Sequence, residues 1–229
     1  MPRSYGQHCA LAKSLDLVGD RWTLLIVREL LDRPRRYKDL LSSLAPIATD
    51  MLAGRLRDLE RNGLLVKRQL PKPSSGNVYE LTPDGCALEE VIDAFARWGR
   101  HLLTTRVPTD LVRPEWLARA VRAYVRDDRS GPDLVLRLAT PQGGATMRIA
   151  EQRVDLVGDE IPPDVVLTGE VDVLAAATDP RCVDELVAAG RLHVAGEPDA
   201  VRRLGDVFTP PRVRVAAAPA PGRVGAGRA

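Results

Sequence analysis

Thr49-Asp50-Met51-Leu52-Ala53-Gly54-Arg55-Leu56-Arg57-Asp58-Leu59-Glu60-Arg61-Asn62-Gly63, followed at once by Leu64-Leu65-Val66-Lys67-Arg68-Gln69-Leu70, decides the architecture of the first half of this chain. Leu52, Leu56 and Leu59 recur at helical spacing, and at ~100° per residue they share one face and turn Asp50, Ala53, Gly54, Arg57 and Arg61 outward. Gly63 supplies the left-handed residue that ends such a helix. Upstream, Leu11, Leu15 and Val18 mark a first helix. Trp22, Leu25, Ile26 and Leu30 mark a second that stops at Arg33-Pro34, and Leu40, Leu41 and Leu44 mark a third before the turn at Ala45-Pro46. Downstream, residues 64–70 and 78–81 read as strands around the turn-rich Pro71-Lys72-Pro73-Ser74-Ser75-Gly76-Asn77. Three helices, a turn-linked fourth and a hairpin predict a helix-turn-helix with a wing.

Thr82-Pro83-Asp84-Gly85 then opens what the pattern predicts to be one long helix, with Leu88, Val91, Phe95, Trp98 and Leu102 at alternating spacings of three and four. Two aromatic side chains on one seam, after a complete wing, predict that a second copy of the chain covers it. The outward face of residues 49–62 is suited to a major groove. Small Ala53 and Gly54 allow close approach to base edges, and Arg57 and Arg61 reach a guanine edge or a phosphate. Lys67, Arg68 and Lys72 on the hairpin are placed for phosphates, which add affinity with little sequence information.

These elements resemble the HxlR family of regulators. The resemblance rests on Cys9, Gly19-Asp20-Arg21-Trp22-Thr23-Leu24-Leu25-Ile26, Tyr37-Lys38-Asp39-Leu40, residues 51–60, Asn62-Gly63-Leu64-Leu65 and Tyr79-Glu80-Leu81-Thr82-Pro83-Asp84-Gly85, and it covers residues 8–104. It implies a winged helix-turn-helix transcription regulator. The chain would bind double-stranded DNA as a homodimer on an inverted repeat, through Tyr37, Lys38, Thr49, Asp50, Ala53, Gly54, Arg57, Arg61, Lys67, Arg68 and Lys72. Ala48 replaces a commonly capping Ser, so Thr49 is expected to cap the recognition helix. Asp50 departs from the basic or amide residue common there, so the operator does not transfer from relatives. Some relatives sense oxidants through a Cys at the position of Cys9. With His8 beside it, a thiol switch at Cys9 is the alternative to sensing of a small molecule, against the plainer reading of Cys9 as a packed apolar residue.

The second half begins with an amphipathic helix at Glu115-Trp116-Leu117-Ala118-Arg119-Ala120-Val121-Arg122-Ala123-Tyr124, started by Pro114. Strands are predicted at residues 134–138, 145–150, 152–157 and 165–168, adjacent enough to imply an antiparallel sheet. Helices follow at 170–177 and 181–189, then a strand at 191–195 and a helix after Pro198 carrying Val201, Leu204 and Phe208. Leu167-Thr168-Gly169-Glu170 with residues 186–198 is similar to the end of a sterol-carrier-protein-2-like domain. That likeness implies an α+β fold that takes an apolar small molecule as effector. The expected domains are residues 1–106, residues 112–208 and a disordered tail, 209–229, with the boundary at the two prolines of residues 107–114.

With 229 residues, 45% hydrophobic and 28% charged, the chain fits two globular cores. Its net charge of +2 is divided unevenly: residues 1–106 hold 17 Lys and Arg against 13 Asp and Glu, while the remainder holds 16 against 18. The first half is the better match for a phosphate backbone. No apolar run is long enough for a bilayer and no signal peptide opens the chain, so a cytoplasmic protein without a membrane partner is expected. Cys9, Cys86 and Cys182 are far apart and form no metal-binding pair. His193 alternates within a strand with no nucleophile or carboxylate placed beside it, so no enzyme, metal or cofactor is expected.

Overall fold

The computed structural model describes residues 4–71, 75–104, 110–111, 113–126, 128–129, 131–151 and 153–208. Lys72, residues 107–109 and 112 of the predicted boundary, and the predicted tail at 209–229 lie outside them. The chain divides into two compact units, Met1–Ile92 and Asp93–Ala229.

In the first unit, α1 (Ala10–Val18) and α2 (Thr23–Leu30) lead into a two-residue strand, β1 (Arg35–Arg36). Next come α3 (Tyr37–Ser43), α4 (Thr49–Arg61), the hairpin of β2 (Leu65–Gln69) and β3 (Asn77–Leu81), and a single turn, α5 (Pro83–Cys86). The sheet runs β1-β3-β2 and is antiparallel throughout. β1 escapes the sequence pattern because two residues have no period; it exists by pairing Arg35 with Tyr79 and Arg36 with Val78. The core is built from Ile26, Val27 and Leu30 of α2, Leu40 of α3, Leu52, Leu56 and Leu59 of α4, and Leu65 and Leu81 of the hairpin. Gly63, at φ +72°, closes α4: Leu64 N–H donates to Leu59 O at 2.9 Å and Gly63 N–H to Glu60 O at 3.0 Å.

The helix marked by Leu11, Leu15 and Val18 is present as α1, with Leu11 and Leu15 exposed and Ala12 and Val18 on its buried face. One expectation fails here. The single long helix after Thr82 is instead α5, then α6 (Glu89–Gly99), then a 3₁₀ segment at Arg100–Thr104. The Thr82 hydroxyl receives Gly85 N–H at 3.2 Å and donates to Gly63 O at 2.6 Å, which holds the first turn against the end of α4. A side chain at Gly85 would collide with Leu64 O.

The second unit contains α7 (Pro114–Tyr124), β4 (Leu134–Thr140), β5 (Gly143–Ile149), β6 (Val154–Val157) and β7 (Val165–Thr168). These are followed by α8 (Val171–Ala177), α9 (Pro180–Ala188), β8 (His193–Gly196) and α10 (Pro198–Val207). The sheet order is β6-β5-β4-β7-β8. It is mixed rather than antiparallel, because β7 enters beside β4 in the same direction, with Leu136 opposite Val165 and Leu138 opposite Leu167. Adjacent strands in sequence pair antiparallel, but β7 returns past the meander to the far edge of β4, a placement that adjacency does not encode. Alternate residues Leu134, Leu136 and Leu138 of β4, Met147 and Ile149 of β5, and Val165 and Leu167 of β7 are buried with Val121, Tyr124, Leu174, Leu204 and Phe208 of the helices and their ends. No helix among the described residues is long and apolar enough to cross a membrane.

Residues 93–104, predicted to belong with the first half, pack in the second unit. Asp93 pairs with Arg119 at 3.5 Å, Arg97 Nη1 donates to Ala123 O at 3.1 Å, and the Tyr124 hydroxyl donates to Ala96 O at 3.3 Å. Arg100 is buried: its Nη2 donates to Thr178 Oγ1 at 2.6 Å and its guanidinium lies 4.6 Å from the Tyr124 ring centroid. Burial pushes the Arg100 guanidinium down from its ordinary value and the Tyr124 phenol up.

Candidate nucleic-acid interface

α4 buries Leu52, Leu56 and Leu59, as its spacing predicts. Thr49, Asp50, Met51, Arg57, Glu60 and Arg61 are exposed, whereas Ala53 and Gly54 are half-buried at the margin of the outer face. A Cβ added at Gly54 would meet nothing within 4 Å, so the backbone there is open to approach. The cations of this face differ in availability. Arg61 pairs with Asp58 at 3.2 Å, while Arg57 is exposed and forms no ion pair among the described residues. Arg57 is therefore the guanidinium on α4 that can turn to a ligand without first leaving a carboxylate.

Two contacts that the sequence pattern did not reveal hold α4 in place. Half-buried Arg55 bridges Asp20, in the loop after α1, and Asp58 at 3.1 Å. The Tyr37 hydroxyl donates to Thr49 O at 2.7 Å, tying the start of α3 to the start of α4. Tyr37, expected among the nucleic-acid contacts, thus has its hydroxyl committed to positioning the helix. Thr49 does not cap: Ala48 occupies the cap position, with no side-chain hydrogen bond, and Thr49 is the first helical residue. Among the described residues no side chain accepts from the first-turn N–H groups of the helix, a favourable setting for an anion.

On the hairpin, Lys67 is exposed, with its ammonium 6.0 Å from the Tyr79 ring centroid, and Arg68 pairs with Glu80 across the strands. Burial pushes the Tyr79 phenol up, and Arg57 nearby partly opposes the shift. Lys38 is exposed on α3. Beside β1, a cleft of about 470 Å³ is lined by Arg33, Pro34, Arg35, Arg36, Asp39, Leu70 and Val78. Arg35 is occupied, donating through Nε to Glu29 O at 2.9 Å with Nη2 3.9 Å from the Glu29 carboxylate.

The predicted seam is exposed along most of its length: Val91, Phe95, Trp98 and Leu102 all face solvent, while Leu88 packs against the core of the first unit. Cys9 is exposed at the cap position of α1 in the single chain and is not packed within its own unit. Cys86 is exposed and Cys182 half-buried, its thiol pushed up by burial first and by Asp179 next. His193 is exposed on β8. No group of three His, Cys, Asp or Glu side chains that could hold a metal occurs among the described residues.

The profile of the HxlR-like helix-turn-helix family matches residues 17–106. The HTH-type transcriptional regulator YodB of Bacillus subtilis is 34% identical over 88 residues, which are 38% of this chain and 79% of YodB. The HTH-type transcriptional regulator Rv3095 of Mycobacterium tuberculosis is 31% identical over 126 residues, 55% of this chain and 74% of that protein. Among solved structures, quinone-bound YodB from B. subtilis aligns at 31% identity and a TM-score of 0.35, covering 39% of this chain and 93% of YodB. With its helix order, its hairpin and relatives named as transcriptional regulators, the chain belongs to the HxlR-like helix-turn-helix family, and its N-terminal portion is a DNA-binding regulator module.

Proposed function

We propose that the protein acts as a homodimeric transcription regulator on an inverted-repeat operator, with α4 in the major groove and the hairpin over the flanking backbone. The observation that carries this reading is the outer face of α4, where open backbone at Gly54 lies one turn from the unpaired Arg57. Asp50, Ala53, Gly54 and Arg57 face the bases in this reading; Lys38, Arg61, Lys67, Arg68 and Lys72 meet phosphates. A symmetric pair of chains joined through Val91, Phe95, Trp98 and Leu102 sets the two α4 helices about one turn of DNA, ~34 Å, or a multiple of it apart. Selection of bound sequences from a random pool, followed by anisotropy titration, tests it. Arg57→Ala should weaken the selected site by at least ~1 kcal/mol and reduce its margin over random DNA. Equal affinity of variant and wild type for the selected site would remove Arg57 from the base contacts.

The second unit is the regulatory input in this reading, taking an apolar molecule whose occupancy changes operator affinity. Support comes from the arrangement of the five-stranded mixed sheet with its helices. Leu134, Leu136, Leu138, Met147 and Ile149 are fully buried, so an occupant enters by parting helices from the sheet. Thermal shift with a long-chain fatty acid and with a sterol, followed by operator titration in the presence of any binder, tests this input. A binder that leaves operator affinity unchanged argues against it.

A second reading is favoured by one observation, the exposed thiol of Cys9 at the start of α1. Here oxidation or an electrophile at Cys9 replaces the apolar molecule as signal. Diamide or benzoquinone should then change operator affinity of wild type and leave Cys9→Ser unaffected; an equal response of both proteins excludes Cys9 as the sensor.

A further inference from the structure

The cleft beside β1 has a charge pattern that neither α4 nor the hairpin strands account for. It is lined by three arginines and a single carboxylate, Asp39. Arg35 is held inward on Glu29, which also takes Arg28 at 2.8 Å, so one buried carboxylate serves two guanidinium groups. Arg33 and Arg36 form no ion pair among the described residues, and Arg33 is exposed. Arg36 Nη1 lies 3.7 Å from the place a Cβ would occupy on Gly76, a residue of the hairpin turn whose φ is +107°. Arg36 is also the neighbour in sequence of Tyr37, whose hydroxyl fastens the start of α4. The cleft therefore lies between the anchor of the recognition helix and the turn of the wing, the two elements read as flanking DNA.

We propose that Arg33 and Arg36 in this cleft bind backbone phosphates of duplex DNA, an additional contact beyond α4 and the hairpin strands. The inference rests on the reading of the first unit as a DNA binder and adds a separate contact to it. The chemistry fits a phosphodiester. Two guanidinium groups uncommitted to carboxylates supply forked donors for its anionic oxygens, and an open cleft admits a polymer that continues past it. Pro34 between the two arginines limits the backbone freedom that would be lost on binding. These contacts carry no base information, so their mark is on salt dependence and not on sequence preference.

The test uses the full chain and a mixed-sequence duplex of about 30 base pairs, titrated from about 50 to 200 mM salt. Each phosphate contact contributes about 0.9 to the slope of log affinity against log salt, so Arg33→Ala with Arg36→Ala should flatten the slope by about 1.8 per bound protomer. Over that fourfold salt range the variant should lose about 12-fold less affinity than wild type. Arg33→Lys with Arg36→Lys should keep most of the slope, and Arg57→Ala should reduce preference for a selected site by more than it changes the slope. If the alanine pair melts early, Arg33→Gln with Arg36→Gln carries the same comparison. Unchanged slope and affinity in a folded neutral pair would overturn the proposal. So would an unchanged slope combined with loss of a thermal shift given by inorganic phosphate, which would make the cleft a site for a free anion. A wild type that binds no duplex at low salt overturns instead the broader reading on which the proposal rests.

Discussion

Trp98→Ala should dissociate the proposed dimer. Trp98 is 67% exposed in the single chain and Phe95, one turn earlier on the same helix, is 57% exposed. Two-thirds of the roughly 240 Å² of an indole side chain is ~160 Å², worth about 4 kcal/mol if wholly removed from water. Symmetry doubles the figure to about 8 kcal/mol per dimer, and halving it for incomplete burial leaves about 4 kcal/mol, in the range of strong interface residues. The dimer dissociation constant should therefore rise about 10³-fold. Sedimentation velocity over a dilution series reads this directly, with Val187→Ala, an exposed apolar position on α9, as the control that should leave assembly unchanged. Dissociation of Trp98→Ala over the same concentrations as wild type would refute the reasoning and move the contact elsewhere, with the exposed Leu11 and Leu15 of α1 the next surface to examine.

Arg100→Met and Thr178→Val, alone and together, should show a coupling of about 1.5 kcal/mol in urea unfolding, because the bond between them is charge-assisted and buried; additive effects would deny that it matters. Gly85→Ala should destabilise the first unit by about 3 kcal/mol, since its methyl group would meet the Leu64 carbonyl; a melting temperature like that of wild type would contradict the close approach. Asp16 is held below the ordinary carboxylate value of 3.8, first by the Tyr5 N–H and then by the Ser4 hydroxyl. A carboxyl whose folded value is depressed stabilises above its unfolded value and ceases to do so as pH falls through the folded one. The Tyr5 amide resonance should therefore shift to its detached position only below the ordinary carboxylate range, and a midpoint at or above 3.8 would contradict the contact.

Much of the fold was legible because it follows two periods. The 3.6-residue spacing of Leu52, Leu56 and Leu59 places α4, and the alternation of Leu134, Leu136 and Leu138 places β4. What the sequence withheld depends on partners distant in the chain. β1 exists only by pairing with β3, and the direction of β7 is set by its neighbour β4. The leucines of α1 have the correct spacing for a core, but periodicity defines a face without saying what covers it, and here Leu11 and Leu15 are left exposed. The candidate interface shows the same division. Residue type and helical phase point to Arg57, whereas only coordinates separate it from Arg61, tied to Asp58, and from Arg55, turned toward Asp20. The family pattern points to Tyr37 as a nucleic-acid contact; that its hydroxyl also braces the recognition helix is seen only in the structure.

The placement of residues 93–104 bears on how an input in the second unit could reach DNA. Phe95, Trp98 and Leu102 belong to the same compact unit as the five-stranded sheet, so most of the proposed dimer seam lies on the proposed effector domain. The buried side of this segment is not greasy packing alone. Asp93 with Arg119, Arg97 with Ala123 O, and Arg100 with Thr178 and Tyr124 fix its position on α7 and on the residue that ends α8. Polar contacts of this kind are directional, so a shift of α7 or α8 either carries the segment with it or leaves a buried charge without its partner, which costs several kcal/mol. Any occupant that parts those helices from the sheet therefore bears on the seam without a path through the first unit. Coupling of about 1–3 kcal/mol between two ligands is enough for a regulator, and it must act equally in both directions. A chain cut at residue 106 would not isolate DNA binding from regulation. It would strip Asp93, Arg97 and Arg100 of the partners that α7 and α8 provide, so changes in its affinity for DNA would mix loss of the effector domain with disturbance of the seam.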